Sequence, residues 1–273
     1  MAKLPITTKL KTESLIEDQE LVEPPRSYFG ISGIGHNCAR ALWYNFRWVT
    51  PRKLSPRVKR LLNRGHREEE VVVADLEAIG CRIHSQQKDM VAGQGHIKGH
   101  IDGIIENLPD APKTPHLLEI KTANEKSFSA IKKDGISIAK PEYEAQAQGY
   151  MKLLNLKRTL FVVVNKNTDE RYYERVSFDA KKAALLFDRA FDIITSEVPP
   201  PRIGGSTFWS CKFCDHYDVC QFDLPPQQNC RTCEQCDLCD EGQWKCSRQK
   251  DLVLGYEAQQ AGCKQYEMLK GLR

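Results

Sequence analysis

Nine of the chain's eleven cysteines fall within residues 211–263, several as Cys-x-x-Cys pairs, and this crowding limits what the last quarter of the chain can be. Thiols at that density do not all serve as small core residues. A reducing compartment disfavours structural disulfides, so clustered cysteines there more often bind metal. The remainder is ordinary for a globular protein. With 273 residues, 41% hydrophobic and 28% charged, there is material for one large domain, or for a core plus a small module. No run approaches the ~20 apolar residues that span a bilayer. Residues 1–13 lack the apolar segment of a secretion signal. The expectation is a cytoplasmic protein with no membrane partner.

Residues 1–25 are polar, end in Pro24-Pro25, and read as a tail or extended arm. Residues 26–67 hold ten Lys and Arg and no Asp or Glu, which describes either a polyanion-binding surface or a solvated helix face. Within this block Arg40, Trp43, Tyr44, Phe46, Arg47 and Trp48 interleave basic and aromatic side chains, as surfaces that stack bases do. The helical spacing of Leu42 with Phe46, and of Trp43 with Arg47, equally places most of these rings in a core. A long helix is expected over residues 55–79, with Ser55 as N-cap, Pro56 at the first position and Gly80 as the stop. Val58, Leu61, Leu62, Val72 and Leu76 form its apolar stripe, and His66 lies beside it. Strands follow at 82–90, 97–106 and 116–122. A turn-rich linker over 107–115 joins the last two as an antiparallel hairpin. A helix over 141–154, strands at 160–164 and 172–178, and an Asp179-capped helix complete the pattern before Pro199-Pro200-Pro201 opens the cysteine-rich end.

The chemistry concentrates at Asp102 and at Glu119-Ile120-Lys121. Residues two apart in a strand share a face, so Glu119 and Lys121 point together while Ile120 packs behind. If the two strands pair, Asp102 stands beside Glu119. Two carboxylates at one point make a hard oxygen site suited to Mg²⁺ or Mn²⁺. A neighbouring ammonium can orient water and offset charge growing on a phosphate. An Asp with a Glu-x-Lys is a weak signal alone. The apolar neighbours Ile101, Ile104, Ile105, Leu117 and Leu118 sharpen it, because buried charges need partners.

Taken together, Gly65-His66, Asp102, Glu119-Ile120-Lys121 and Gln146-Ala147-Gln148-Gly149-Tyr150 resemble, in this order, the RecB-like branch of the PD-(D/E)XK nucleases. That branch includes CRISPR-associated exonucleases and phage recombination nucleases, and the resemblance covers about residues 33–220. One departure is that Gly65 directly precedes His66 instead of lying several residues upstream. The resemblance implies an α/β fold with a restriction-endonuclease-like core, a mixed central sheet flanked by helices. It implies metal ligation by His66, Asp102, Glu119 and the Ile120 carbonyl, with Asp102, Glu119 and Lys121 catalytic. Gln146 and Tyr150 would contact DNA or position the site, and Arg40 and Arg47 of the basic block are further DNA candidates.

The triplet Cys211-x-x-Cys214-x-x-x-x-x-Cys220 has the spacing of iron–sulfur nucleases of this branch, which take a fourth cysteine from far upstream, and Cys38 occupies that place. Four thiolates suit a [4Fe–4S] cluster, although zinc also binds four cysteines well. Such a centre would close the fold by tying residue 38 to residues 211–220. A second site, expected to hold zinc, falls among Cys230, Cys233, Cys246 and Cys263, with Cys236 and Cys239 an alternative pair. Cys81 reads as a small buried hydrophobe. The resulting organisation is an arm (1–25), a nuclease domain (26–222) and a cysteine-rich module (223–273). The implied function is a metal-dependent exonuclease acting on DNA, single-stranded or with free ends, in recombination, repair or CRISPR-type processing. It would sit in a bacterial host cell if phage-encoded, with recombination or single-strand-binding proteins as further partners. The rivals are a non-catalytic DNA-binding scaffold and a nuclease subunit active only inside a larger complex. No phosphate-binding Gly-x-x-x-x-Gly-Lys-Ser/Thr loop is present, so no motor is encoded.

Overall fold

A five-stranded mixed sheet lies at the centre of the computed structural model, which describes residues 6–19 and 21–272. The chain enters through helix α1 (Ile6–Glu17), strand β1 (Leu21–Glu23), strand β2 (Phe29–Gly30), helix α2 (Ala39–Phe46) and strand β3 (Arg52–Leu54). The expected extended arm is therefore largely helical, and β1 pairs antiparallel with β3. Residues 6–23 contain no Gly or Pro, so nothing in the backbone opposes a helix there. Residues 1–5 and 20 of that arm lie outside the described residues.

Helix α3 (Pro56–Ala78) starts as its sequence dictates, with the Ser55 hydroxyl accepting from the Val58 amide at 3.3 Å and Pro56 in the first turn. Only the second half of its apolar stripe is covered. Val72 and Leu76 are buried, whereas Val58, Leu61 and Leu62 are exposed. Next come β4 (Arg82–His84), β5 (Asp89–Ala92), β6 (Ile97–His100), β7 (Gly103–Glu106) and β8 (His116–Ala123). Two expected strands are thus each broken in two. Ser85 and Gln87 take positive φ and turn the chain between β4 and β5. At Ile101-Asp102 the chain leaves a small β2–β6–β5 sheet and enters the central one.

Helices α4 (Glu125–Asp134), α5 (Ile136–Ala139) and α6 (Pro141–Leu154) follow, then β9 (Arg158–Asn165), β10 (Arg171–Ser177) and α7 (Ala180–Thr195). The central order is β10–β9–β8–β7–β4. Strand β8 is antiparallel to β7, as expected, and parallel to β9. The β9 residues from Thr159 to Asn165 are all buried, as a strand covered on both faces requires.

Short helices α8 (Trp209–Lys212) and α9 (Tyr217–Phe222) lead into a meander of β11 (Cys236–Cys239), β12 (Gln243–Cys246) and β13 (Leu252–Leu254), followed by α10 (Tyr256–Ala261). Cys233, Cys236, Trp244 and Leu269 belong to the same apolar cluster as Trp43 and Phe46. The boundary expected at residue 222 falls inside this continuous core. Among the described residues, no helix is long and apolar enough to cross a membrane.

Candidate active site

Strands β7 and β8 are in register only from Gly103 opposite Leu118 to Ile105 opposite His116, so β8 runs on beyond its partner. Asp102 stands where that pairing stops. Its carboxylate Oδ2 accepts from the Ile120 amide at 2.7 Å, taking the place of the missing strand. A residue's N–H and C=O project from the same edge of a strand. The Ile120 carbonyl therefore faces the same open edge as the Asp102 carboxylate.

Glu119 and Lys121 share the face predicted from their spacing. The Lys121 ammonium lies 3.1 Å from Glu119 Oε2, with Glu119 fully buried and Lys121 partly open. Gln146 on α6 donates to both carboxylate oxygens of Glu119, at 2.9 and 3.0 Å. The Lys121 ammonium also sits over the Tyr143 ring, 5.5 Å from its centroid. Tyr143, Gln146 and Tyr150 lie three and four residues apart, which puts all three on one face of α6.

Burial raises the Glu119 carboxyl to about 8; Lys121 opposes this and the Asp102 charge adds to it. Burial likewise raises Asp102, with Lys121 and the Ile120 amide holding it down. At Lys121, burial works against the ammonium, but Glu119 and Asp102 more than offset it and keep the lysine charged. The three groups act as one unit.

His66 does not complete that unit. Its side chain is 75% exposed, and Nδ1 lies 3.8 Å from Glu69 Oε1. Glu69, one turn further along α3, is the carboxylate that sequence reasoning missed. It is half-buried, and its carboxyl is raised by burial and by the Asp102 charge. Among the described residues, no three His, Cys, Asp or Glu donors already close on a single point. The donor chemistry still suits a hard divalent cation, with Asp102, Glu119 and the Ile120 carbonyl on one edge and Glu69 facing them.

The residues expected to touch DNA are placed differently. Gln146 is turned onto Glu119. Tyr150 is buried against β6, where a side chain at Gly99 would collide with its hydroxyl. Both brace the site. Arg47 is buried, donating to the carbonyls of Arg231 and Ser196, both at 3.2 Å, and cannot meet a phosphate. Arg40 is committed as well, with Nε on the Pro200 carbonyl at 2.6 Å and Nη1 directed at Cys220 Sγ. Arg47 is thus corrected, because it follows α2 into the core, whereas Arg40 stays partly exposed.

Cys38, Cys211, Cys214 and Cys220 line one narrow cavity. Cys38 Sγ accepts from the Ala41 amide at 3.4 Å, and Cys220 Sγ accepts from Arg40 and Gln221 at 3.9 and 3.8 Å. Four cysteines lining one cavity, two of them with sulfurs that receive N–H groups, are a donor set whose chemistry fits a thiolate-bound centre. Cys81 is buried, as expected.

Residues 44–156 match the YqaJ-like viral recombinase domain. The YqaJ-like segment contains His66, Glu69, Asp102, Glu119, Lys121, Gln146 and Tyr150, and leaves out Cys38 and the cysteines beyond residue 200. No curated protein matches the sequence. Among solved structures, SSO0001 is 17% identical with a TM-score of 0.43, covering 80% of this chain and 98% of its own. An alkaline exonuclease from Laribacter hongkongensis is 16% identical with a TM-score of 0.47, covering 62% of this chain and 87% of its own. The same exonuclease in complex with dAMP gives 15% and 0.45, over 62% and 86%. Likeness at this level carries no argument about chemistry, so the functional reading rests on the YqaJ-like segment and the geometry above.

Proposed function

We propose that the protein is a metal-dependent DNA exonuclease of the PD-(D/E)XK type, acting in recombination on single strands or free ends. The observation that carries this is the fully buried Glu119 held between Lys121 and Gln146, beside an Asp102 fixed on the Ile120 amide. A fully buried carboxylate beside a half-buried one, with a single ammonium, is costly unless it serves a ligand or a reaction. The alternative of a scaffold that binds DNA without cutting it leaves that cost unexplained.

Asp102, Glu119 and the Ile120 carbonyl would hold a divalent cation, which when bound polarises a phosphoryl oxygen and lowers the pKa of its water. Lys121 stays protonated against its two carboxylate neighbours and donates toward negative charge developing on the phosphate. Gln146 keeps both Glu119 oxygens in place. Tyr150, from the same helix face, fixes the strand that leads to Asp102. Cys38, Cys211, Cys214 and Cys220 would hold a [4Fe–4S] cluster that staples α2 to the segment after residue 200.

The test is a time course on end-labelled single- and double-stranded DNA with Mg²⁺ or Mn²⁺, using wild type, Asp102→Asn and Lys121→Met. Progressive shortening from an end by wild type, with both variants at least about 100-fold slower but still binding DNA, supports the reading. Wild-type rates in either variant overturn it.

A further inference from the structure

Two buried guanidiniums lie side by side where the C-terminal meander meets the core. Arg47 is 5% exposed and Arg231 is 1% exposed. Arg47 donates only to backbone carbonyls, and its Nε has no hydrogen-bond partner. Arg231 donates to Gln259 Oε1 at 2.8 Å and to the carbonyls of Phe46 and Ser27 at 3.0 and 2.9 Å. None of these acceptors is charged. Trp244 of β12 lies between the pair, its ring centroid 5.4 Å from the Arg47 guanidinium and 4.7 Å from that of Arg231. Ring faces stabilise a cation only in part, and taking two cations out of water without a counter-charge costs more than the rings return.

The cysteine-rich turn adjoins both cations, since Arg231 lies between Cys230 and Cys233 and Arg47 donates to the Arg231 carbonyl at 3.2 Å. Burial lowers the Arg47 guanidinium to about 10, opposed by Cys236 and by the Asp237 and Glu197 carboxylates. Cys236 lines a cavity of about 160 Å³ together with Cys230, Cys233, Cys246 and Cys263. The walls are set by ordinary backbone rules. Cys230 and Cys233 bracket a tight turn closed by the Cys233 amide on the Cys230 carbonyl at 3.0 Å. Cys236 and Cys246 are directly opposite in the β11–β12 register, so both face the same side. Cys239 is not part of this cavity; its electrostatic neighbours are Lys245, Asp240 and Asp251. As neutral thiols the five sulfurs contribute no charge. Thiolates gathered on a metal do, since four of them on a divalent ion, or on a [4Fe–4S] core, leave a net negative centre.

We propose that this cavity is a thiolate metal centre held by four of Cys230, Cys233, Cys236, Cys246 and Cys263, and that its negative charge is the counter-ion of Arg47 and Arg231. Metal binding in the C-terminal meander then sets the charge balance of the core around α2. That coupling is independent of whether the protein cuts DNA. The shared chemistry is a soft, thiophilic centre, mononuclear zinc or a polynuclear iron–sulfur group, and metal analysis distinguishes them.

The experiment uses the full chain purified anaerobically, with zinc, iron and acid-labile sulfide counted per chain. The proteins are wild type, Cys246→Ser/Cys263→Ser, Cys38→Ala as the control for the other cysteine cavity, and Arg47→Met in each background. Loss of about one zinc in Cys246→Ser/Cys263→Ser but not in Cys38→Ala supports the centre, as does loss of about four irons with matching sulfide that adds to the iron lost in Cys38→Ala when the variants are combined. Arg47→Met should lower Tm in the metal-bound protein and lower it less, or raise it, once the centre is gone. If the double variant does not express, wild type and Arg47→Met are compared before and after chelator stripping. Metal content unchanged by the two serines overturns the centre. An equal Tm loss from Arg47→Met with and without metal overturns the counter-ion role.

Discussion

One amide nitrogen of Gln146 holds both carboxylate oxygens of Glu119, at 2.9 and 3.0 Å, inside a pocket where Glu119 has no exposed surface. The donor fixes the plane of a carboxylate that would otherwise rotate toward Lys121 alone. Outer partners of this kind are worth about 10–100-fold in metal affinity or activity. Gln146→Leu should therefore raise the Mn²⁺ concentration needed for half-maximal cleavage by about that factor, with little change in DNA binding. A fall in kcat at saturating Mn²⁺ with an unchanged half-saturation point would show that Gln146 does not act through Glu119.

Glu69 and His66 invert the order of importance that the helix pattern implies. Glu69 is half-buried and feels the Asp102 charge, whereas His66 is 75% exposed and lies 3.8 Å from Glu69. Glu69→Gln should weaken the divalent-cation dependence of cleavage more than His66→Ala does. The check is cleavage rate against Mn²⁺ concentration for both variants in parallel. A larger effect from His66→Ala would show that the histidine swings in to join the site.

The parts of the fold set by local rules were legible in the sequence. Ser55 and Pro56 start α3, Asp179 caps α7, and the two-residue period puts Glu119 beside Lys121. What was not legible depends on pairing between distant segments. The parallel partnership of β8 with β9 leaves no local trace, and neither does the change of sheet at Asp102, where one apolar run hides two strands. Arg47 shows the limit most clearly. In a block of ten cations it reads as a DNA contact, yet it is buried between Trp43 and Trp244, a residue almost 200 positions away. Glu69 carried a usable signal, because it follows His66 by three residues and so shares its helix face.

Cys38 caps α2 through its sulfur, which accepts from the Ala41 amide at 3.4 Å, while sharing a cavity with Cys211, Cys214 and Cys220. It is the only one of the four outside residues 211–220, so no local metal motif explains it. Anaerobically prepared wild type should be brown with about four irons at this centre, and Cys38→Ala should lose that iron and its visible absorbance. A lower Tm should accompany the loss, because the staple between α2 and the later segment is gone. Full iron retention in Cys38→Ala would remove Cys38 from the ligand set.

The basic block is partly neutralised from within the chain, which bears on how the protein meets DNA. Glu23 on β1 pairs with Lys59 at 2.6 Å and Arg52 at 3.8 Å, and Glu17 at the end of α1 pairs with Arg60. Lys59 and Arg60 lie on α3 within two turns of His66, on the approach to the site. Phosphates reaching this face must displace those carboxylates. Each pair is exposed and intrinsically weak, so the competition is winnable. Glu17→Gln/Glu23→Gln should tighten DNA binding at low salt. It should also steepen the dependence of log Kd on log salt, by up to about 0.9 per freed cation on duplex and about 0.7 on single strands. Titrations between ~50 and ~200 mM salt give that slope. If affinity and slope both match wild type, this face of α3 lies off the DNA path, and the phosphate contacts must come from cations elsewhere.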